Sequence, residues 1–309
     1  MEQPLFIAIT EKEYIGEKMS DYLVKSLAYD GQLRVYAVDT TETVREAQKI
    51  HDTWSTATVA FGRAITGTSL LSQSLLKKDN KMTVKIVGDG VIGTIVVDAR
   101  ANGDLKGYLR EPHVHLPLNE EHKVDVKSAI GEKGFIEITK DLGLKIPFTG
   151  KVPLVSGELG DDFTYYMAKS EQIPSAIGVS VVSTDNLVKA AGGFMIQVLP
   201  SISDEVLSII EKKIAEIPAI SVMMANGLTP EKIIYEICGE ENTQILEKKT
   251  INYRCDCSKK RFGELVSSIP NADMKLLIEQ DHGAEIVCQF CKKKYFFDED
   301  ELKVLMIDR

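Results

Sequence analysis

The sequence predicts an α+β protein in three parts: an antiparallel-sheet core domain with buried helices (residues 1–200), an amphipathic helical linker (201–246) and a small cysteine-containing C-terminal domain (247–309). Three observations support this division. Strand patterns joined by turn signals dominate residues 81–198, with few helices between them. After Pro200, apolar residues recur at helical spacing. Four of the five cysteines lie in the C-terminal domain.

The first eighty or so residues are predicted to form a strand, a short helix, a second strand and one long helix. "LFIAI" and "LRVYAVD" have the β-branched and aromatic residues typical of strands. The long helix is predicted from Thr43 to about Lys78 and its second half, rich in small residues, is expected to be buried, although Gly62 and Gly67 lower its helical propensity. Its apolar positions at helical spacing are Val44, Ala47, Ile50 and Trp54.

Hairpins are predicted to follow. A Gly-Asp-Gly turn at 88–90 and an Asn-Gly turn at 102–103 separate three strand patterns between residues 81 and 112. "GFIEITKDLG", "PFTGKVPLV", "AIGVSVVS" and "GFMIQVLP" predict further strands. One short helix is expected at "LGDDFTYYMAKSEQ", where acidic residues lie at the positive end of the helix dipole.

The linker is predicted to contain two capped helices. Ser203 precedes the first, and Thr229 precedes the second, which has Pro230 at its first position and Gly239 at its end. The apolar stripe of the first helix must be buried against another surface, and we expect the linker to pack between the C-terminal domain and the core. The stripe comprises Val206, Leu207, Ile209, Ile210, Ile214 and Ile217.

The C-terminal domain contains the strongest chemical signal. We expect a helix at "KKRFGELVSS", a hairpin at "EIVCQFCKKKYFF" and a final helix that begins with a capping box of Asp298 and Glu301. Cysteines occur as C-x-C and, about thirty residues later, as C-x-x-C, and four thiolates form a closed tetrahedral zinc site of structural type. The proposed ligands of one zinc ion per chain are Cys255, Cys257, Cys288 and Cys291.

An iron–sulfur cluster and four buried cysteines of no special role are the alternatives at this site. Lysine and arginine residues flank both cysteine pairs, and we expect these cations to lower the thiol pKa values. A domain of about sixty residues has only a marginal core, whereas structural zinc contributes about 10–16 kcal/mol in small metal-folded peptides. The metal is therefore expected to decide whether this domain folds. Cys238, on the second linker helix, is expected to be a small buried residue and not a ligand.

Weaker signals are given structural interpretations. "GDGVIG" (Gly88, Gly90, Gly93) matches a dinucleotide-binding pattern, but strand sequence follows it where a helix is required, so we interpret it as a hairpin turn. His113 and His115 could meet a metal on one face of an extended segment, but surface or core histidines are the preferred interpretation. No catalytic constellation occurs at a suitable spacing, so no enzyme is predicted.

Composition limits the compartment and the partners. The net charge of −9 disfavours nucleic acid as a partner. No apolar run approaches the length of a membrane span, and the N-terminus lacks the pattern of a signal peptide. A reducing compartment, the cytoplasm, is therefore expected, where paired cysteines more often bind metal than form structural disulfides.

The cysteine spacing, with "YRCDCS" and "VCQFCKKKYFF" around the pairs, resembles the redox-regulated holdase chaperones of the heat shock protein 33 family along the whole chain. The resemblance implies an ATP-independent chaperone of the oxidative-stress response that is inactive while reduced and zinc-bound. It implies that oxidation forms the disulfides Cys255–Cys257 and Cys288–Cys291, releases zinc and lets the protein bind unfolding client proteins, usually as a homodimer. A zinc-ribbon nucleic-acid-binding or regulatory protein is the alternative, favoured by Lys292–Lys294; a zinc enzyme ranks third, because four cysteines leave no open ligand position.

Overall fold

Two antiparallel sheets form the core in the computed structural model, which describes residues 20–184 and 186–307. The first sheet has the strand order β10 (Thr243–Thr250), β1 (Tyr22–Ala28), β2 (Leu33–Asp39), β9 (Leu187–Val198) and β8 (Ser175–Thr184). The second has the order β11 (Asn252–Tyr253), β5 (Asp104–Leu109), β4 (Thr94–Arg100), β3 (Lys81–Val87), β6 (Phe135–Asp141) and β7 (Phe148–Pro153). Neighbouring strands are antiparallel except for the parallel pair β11 and β5. The predicted α+β class is confirmed.

Four helices accompany the two sheets: α1 (Thr41–His51), α2 (Ser55–Leu75), α3 (Val126–Ile130) and α4 (Gly160–Lys169). The predicted buried central helix is confirmed as α2, which contacts both sheets and is buried along most of its length. Its glycines allow close approach: a Cβ at Gly67 would lie 2.2 Å from the ring of Phe163 on α4. The low intrinsic helical propensity of glycine is here outweighed by packing.

The prediction of one helix from Thr43 to about Lys78 is wrong, because the chain breaks between α1 and α2. Asp52 adopts a left-handed conformation (φ 50°) that ends α1. Trp54 then caps α2 and donates its backbone N–H to the Pro112 carbonyl oxygen at 3.0 Å. Its side chain is 49% exposed, so it does not continue the apolar stripe of α1.

The expected order of strand, helix and strand before residue 40 is also corrected. "LFIAI" lies outside the described residues, and "LRVYAVD" is β2. Residues 22–28, within the stretch expected to hold a short helix, form β1 instead. β1 pairs with β2 on one side and β10 on the other, so long-range pairing determines its conformation.

The linker helices pack on the face of the five-stranded sheet that points away from α2. They are α5 (Asp204–Glu216), α6 (Ile220–Ala225) and α7 (Pro230–Cys238). Ser203 and Thr229 cap α5 and α7 as predicted. The shared apolar cluster contains Val24, Val35, Ala37, Phe194 and Ile196 from the sheet and Val206, Ile210, Ile220, Met223, Ile233, Ile234, Ile237 and Cys238 from the linker.

Two linker expectations are corrected. Ile209 is 39% exposed and lies outside the buried stripe of α5, which is centred on Val206 and Ile210. The linker helices do not lie between the C-terminal domain and the core: they pack on β1, β2, β8, β9 and β10. The helical pattern also did not predict α6 or β10, and β10 spans the expected boundary at residues 246 and 247.

The C-terminal domain has a small apolar centre. It contains α8 (Lys259–Val266), α9 (Asn271–Glu279), the hairpin of β12 (Ala284–Val287) and β13 (Lys294–Phe297), and α10 (Glu299–Ile307). The predicted capping box of α10 is confirmed: the Glu301 N–H donates to Asp298 Oδ1 at 2.9 Å, and the Asp298 N–H donates to Glu301 Oε2 at 3.1 Å. Its buried apolar cluster is Val266, Met274, Ile278, Tyr295, Phe297 and Leu302.

Candidate metal centre

Two tight loops present the four cysteines of the C-terminal domain. Cys255 and Cys257 follow β11 and precede α8. Cys288 and Cys291 lie in the turn between β12 and β13, as the hairpin prediction required. The turn is closed by the Cys288 N–H, which donates to the Lys293 carbonyl oxygen at 2.9 Å, and by the Lys292 N–H, which donates to the Cys288 carbonyl oxygen at 2.8 Å.

The four sulfur atoms converge on one point. All four Sγ atoms lie within 4.8 Å of one another, with 3.7 Å between those of Cys255 and Cys288 and 3.3 Å between those of Cys257 and Cys291. Four sulfurs bound at about 2.3 Å to one tetrahedral ion lie about 3.8 Å apart. Across residues 20–184 and 186–307, this is the one cluster of histidine, cysteine or acidic side chains arranged to hold a metal ion.

Tyr295 on β13 adjusts the chemistry of the thiols. Its hydroxyl oxygen lies 3.1 Å from the Sγ of Cys257. Burial acts to raise the pKa of Cys257, but hydrogen bonds with Tyr295 and with the other three cysteines outweigh it and bring the pKa down to about 7. Burial raises the pKa values of Cys255 and Cys291. Hydrogen bonding at Cys257 thus favours its thiolate, the form that binds metal or reacts with an oxidant.

The flanking cations do not have the role expected from the sequence. Lys259 pairs with Glu301 at 2.5 Å and Lys294 pairs with Glu285 at 2.9 Å. Lys293 lies over the ring of Tyr295, 5.4 Å from its centroid. The lowered pKa of Cys257 comes instead from hydrogen bonds. The acidic partners Glu301 and Glu285 also neutralise part of the basic charge around the cysteine pairs.

The cysteine loops rest on the edge of the six-stranded sheet. β11 pairs with β5, and the Arg254 N–H donates to the Leu105 carbonyl oxygen at 2.7 Å. The Tyr253 hydroxyl lies 2.7 Å from the Gly107 carbonyl oxygen and 2.8 Å from that of Phe290. The Nε2 atom of His51, at the end of α1, lies 3.1 Å from the same Phe290 oxygen. The core therefore contacts the backbone of the C-x-x-C loop directly.

The residue between Cys255 and Cys257 forms an ion-pair cluster with the core. The Asp256 carboxylate pairs with Lys106 at 2.6 Å and with Arg100, and lies 3.5 Å from Arg261. Partial burial acts to raise the pKa of Asp256, but Lys106 and Arg100 outweigh it and lower the pKa to about 2. Sequence reasoning missed the contributions of Asp256, Tyr295, Tyr253 and His51. The one sequence feature that could have indicated this contact is Asp256 itself, an acidic residue between two predicted metal ligands.

The remaining candidates lie apart from this cluster. Cys238 is buried among linker and sheet side chains, and burial raises its pKa to about 12. His113 and His115 are exposed; they contact Asp52 at 3.3 Å and Ser55 at 2.6 Å, so the interpretation as surface histidines is confirmed. "GDGVIG" forms the predicted turn between β3 and β4, where a Cβ at Gly88 would lie 1.9 Å from the Ile130 carbonyl oxygen.

Comparison with known proteins places this site in a family. The family model described as Hsp33 protein matches residues 21–298. The chain belongs to the Hsp33 family. A 33 kDa chaperonin of Latilactobacillus sakei is 56% identical over 94% of this chain and 100% of its own length, and one from Enterococcus faecalis is 51% identical over 92% and 95%. The crystal structure of the Hsp33 homologue from Thermotoga maritima has a TM-score of 0.86 at 35% identity and covers 93% of this chain and 98% of its own.

Hsp33 membership makes this protein a member of a chaperone family whose relatives are named chaperonins rather than enzymes. Client proteins are therefore the class of partner that the family implies. The four-cysteine cluster is compatible with a bound metal ion in such a chaperone. None of the helices in the described part of the chain has the length and apolar character needed to cross a membrane.

Proposed function

We propose that this protein is a redox-regulated, ATP-independent holdase chaperone. Its resting form is reduced and holds one zinc ion per chain with Cys255, Cys257, Cys288 and Cys291, in a C-terminal domain distinct from the core and the linker. The observation that carries the proposal is the convergence of four sulfur atoms within 4.8 Å of one another. A single ion fits this arrangement, whereas each thiolate of an iron–sulfur cluster binds part of a larger group.

Oxidation of the thiols is the proposed activating step. One of the four thiolates attacks a peroxide oxygen to form a sulfenic acid, and its partner thiol displaces water to form a disulfide. Each disulfide consumes one peroxide, which is reduced to water. The proposed products are Cys255–Cys257 and Cys288–Cys291, and disulfide sulfurs no longer provide the four thiolates that zinc requires.

The two short sulfur–sulfur distances do not lie within the proposed disulfide pairs, so the pairing needs a direct test. They join Cys255 to Cys288 and Cys257 to Cys291, across the proposed pairs. All four sulfurs are near enough that a small movement permits either pairing. Peptide mapping of the oxidised protein by mass spectrometry distinguishes them: bridges within each pair are expected, and bridges between the loops would contradict this part of the proposal.

Release of the client-binding surface would proceed through β10. This edge strand pairs with β1, contacts α7 and continues into β11, which joins the C-terminal domain to β5. Unfolding of the C-terminal domain removes the anchor at β11, so β10 and then α7 lose support. The linker helices cover apolar residues of the five-stranded sheet, and a large exposed apolar patch binds other apolar surfaces.

The rest of the proposal follows from this mode of action. Unfolding clients offer apolar surface without a specific sequence, so binding needs neither ATP nor a catalytic group, and no enzymatic activity is expected. The active form is proposed to be a homodimer. The resting state requires reduced thiols, which a reducing compartment such as the cytoplasm provides.

One experiment tests the proposed function as a whole. Zinc content and suppression of client aggregation are measured side by side on reduced and on peroxide-treated protein. We expect one zinc and little suppression in the reduced sample, and zinc loss with strong suppression after oxidation. Equal suppression in both samples would contradict redox regulation, and a reduced protein without zinc would contradict the metal assignment.

A further inference from the structure

Each cysteine pair encloses a residue that contacts the core. Asp256 lies between Cys255 and Cys257, and Phe290 lies between Cys288 and Cys291. The Asp256 carboxylate reaches β4 and β5 through its ion pairs. The Phe290 ring packs edge-on against Tyr108 of β5, with 5.1 Å between the ring centroids. Both loops are thus held on one strand by residues whose positions depend on the neighbouring cysteines.

Lys106 contacts both of these residues. Its ammonium group lies 2.6 Å from Oδ1 of Asp256 and 4.6 Å from the centroid of the Phe290 ring. Its side chain is only 12% exposed, and its other carboxylate neighbour, Asp98, is 3.8 Å away. A charge-assisted hydrogen bond and a cation–π contact therefore meet at one amino group that is largely removed from water.

We infer that Lys106 is the residue of the core that holds both cysteine loops in the docked position, so that oxidation of either pair weakens the attachment of the C-terminal domain at β5. This inference rests on the proposed function, to which it adds the contact that transmits the redox state. Lys106 is a positioning residue: it binds no metal and takes part in no bond-forming step.

The geometry of a disulfide supplies the coupling. While four sulfurs surround one point, Asp256 is held outward toward β4 and β5 by the two cysteines beside it. Closing Cys255–Cys257 brings those sulfurs to about 2.05 Å with a dihedral angle near 90°, which requires the three-residue loop to change shape. Asp256 then loses its position against Lys106. The same reasoning applies to Phe290 when Cys288–Cys291 closes.

The attachment at β5 can be measured without oxidation. In reduced, zinc-loaded full-length protein, the Arg254 amide is bonded to Leu105 of β5, so its hydrogen exchange reports undocking. We expect Lys106→Met to accelerate this exchange by about tenfold or more, because a hydrogen bond between charged groups contributes at least roughly that factor. Zinc content should remain at one per chain.

Lys85→Met is the matched control. Lys85 is an exposed lysine of β3 in the same six-stranded sheet, and it forms none of the ion pairs found among the described residues. Exchange at Arg254 should therefore equal that of the wild type. If Lys106→Met leaves the exchange unchanged, or if Lys85→Met accelerates it equally, the inference is wrong.

Lys106→Met could disturb the core itself, and reduced hydrogen-exchange protection of the β3 amides would reveal this. In that case, Asp256→Asn tests the same contact from the side of the C-terminal domain. It should also accelerate exchange at Arg254, and combining it with Lys106→Met should add less than the sum of the two effects. Fully additive effects would contradict a direct contact. If oxidised wild-type protein fails to suppress client aggregation, the proposed function alone is wrong. If oxidised wild-type protein does suppress aggregation but exchange at Arg254 is unaltered in both variants, this inference alone is wrong.

Discussion

The core and the C-terminal domain are stabilised in different ways. The core encloses a long buried helix between two sheets and fills this space with large side chains such as Tyr36, Phe61 and Phe163. In the C-terminal domain, six buried apolar side chains form the described cluster, and four thiols meet beside it. Under the proposed function, apolar burial suffices for the core, whereas the C-terminal domain depends in addition on a removable metal bond.

The linker, like the core, is stabilised by apolar burial. Its helices bury Val206, Ile210 and Ile237 against the five-stranded sheet, and each fully buried side chain of this size contributes about 1.5–3 kcal/mol. In the wild-type protein, the linker should therefore detach only when its connection through β10 is disturbed. On this proposal, the C-terminal domain unfolds first and the linker detaches second. The predictions below test this order.

The largest effect is expected at a metal ligand. Cys288 is the most buried of the four, with 3% exposure. Cys288→Ser should abolish zinc binding and unfold the C-terminal domain, since structural zinc contributes about 10–16 kcal/mol and whole domains are stable by only about 5–15 kcal/mol. Metal analysis and the near-ultraviolet dichroism of the domain's tyrosines measure this. A variant that keeps both zinc and a folded C-terminal domain would contradict the assignment.

A charge beneath the linker should have the next largest effect. Ile210→Asp removes a buried side chain and places a charge against apolar surface, which should weaken linker packing by about 3 kcal/mol or more. The reduced, zinc-loaded variant should then suppress client aggregation before any oxidation. Ile209→Asp is the control, because Ile209 is 39% exposed. If Ile210→Asp frees the linker by hydrogen exchange but stays inactive until oxidised, the linker does not cover the client surface.

A smaller effect is expected when Tyr295 loses its hydroxyl. Tyr295→Phe keeps the ring in the apolar cluster but removes the hydrogen bond to Cys257. Loss of a side chain that supports a metal ligand typically lowers metal affinity by about 10–100-fold. Competition with a chromophoric chelator measures the affinity of the reduced protein. An unchanged affinity would show that the hydroxyl serves only the Cys257 carbonyl oxygen, which lies equally near at 3.1 Å.

The smallest effect is expected at Cys238. Cys238→Ser places a hydroxyl in the apolar cluster under α7 and should cost about 1–3 kcal/mol of linker stability unless the hydroxyl finds a partner. Zinc content and oxidation-dependent suppression of aggregation should both remain. Loss of either property would show that the fifth thiol takes part in the switch.

The sequence was most informative where local chemistry determines structure. Turn residues predicted the hairpins of β3, β4 and β5, and capping residues predicted α5, α7 and α10. Cysteine spacing predicted which side chains converge. Each of these signals lies within a few residues of the feature it specifies.

Several features that the sequence did not predict depend on distant partners. β1 and β10 form because each pairs with a strand far away along the chain, and the break at Asp52 depends on a bond from Trp54 to Pro112. The contacts of Asp256 with Arg100 and Lys106 join residues about 150 positions apart. No local pattern reports such contacts, so the docking of the cysteine loops became evident only from the structure.

Hydrogen exchange of reduced protein after zinc removal by a chelator, with a thiol reductant present throughout, tests the central claim most directly. This treatment removes the metal without forming a disulfide. We predict that amides of residues 255–307 lose protection, that those of β10 and α7 become less protected, and that those of β3 and β4 remain protected. Retained protection across residues 255–307 without zinc would contradict the claim that a bound metal ion holds the C-terminal domain together.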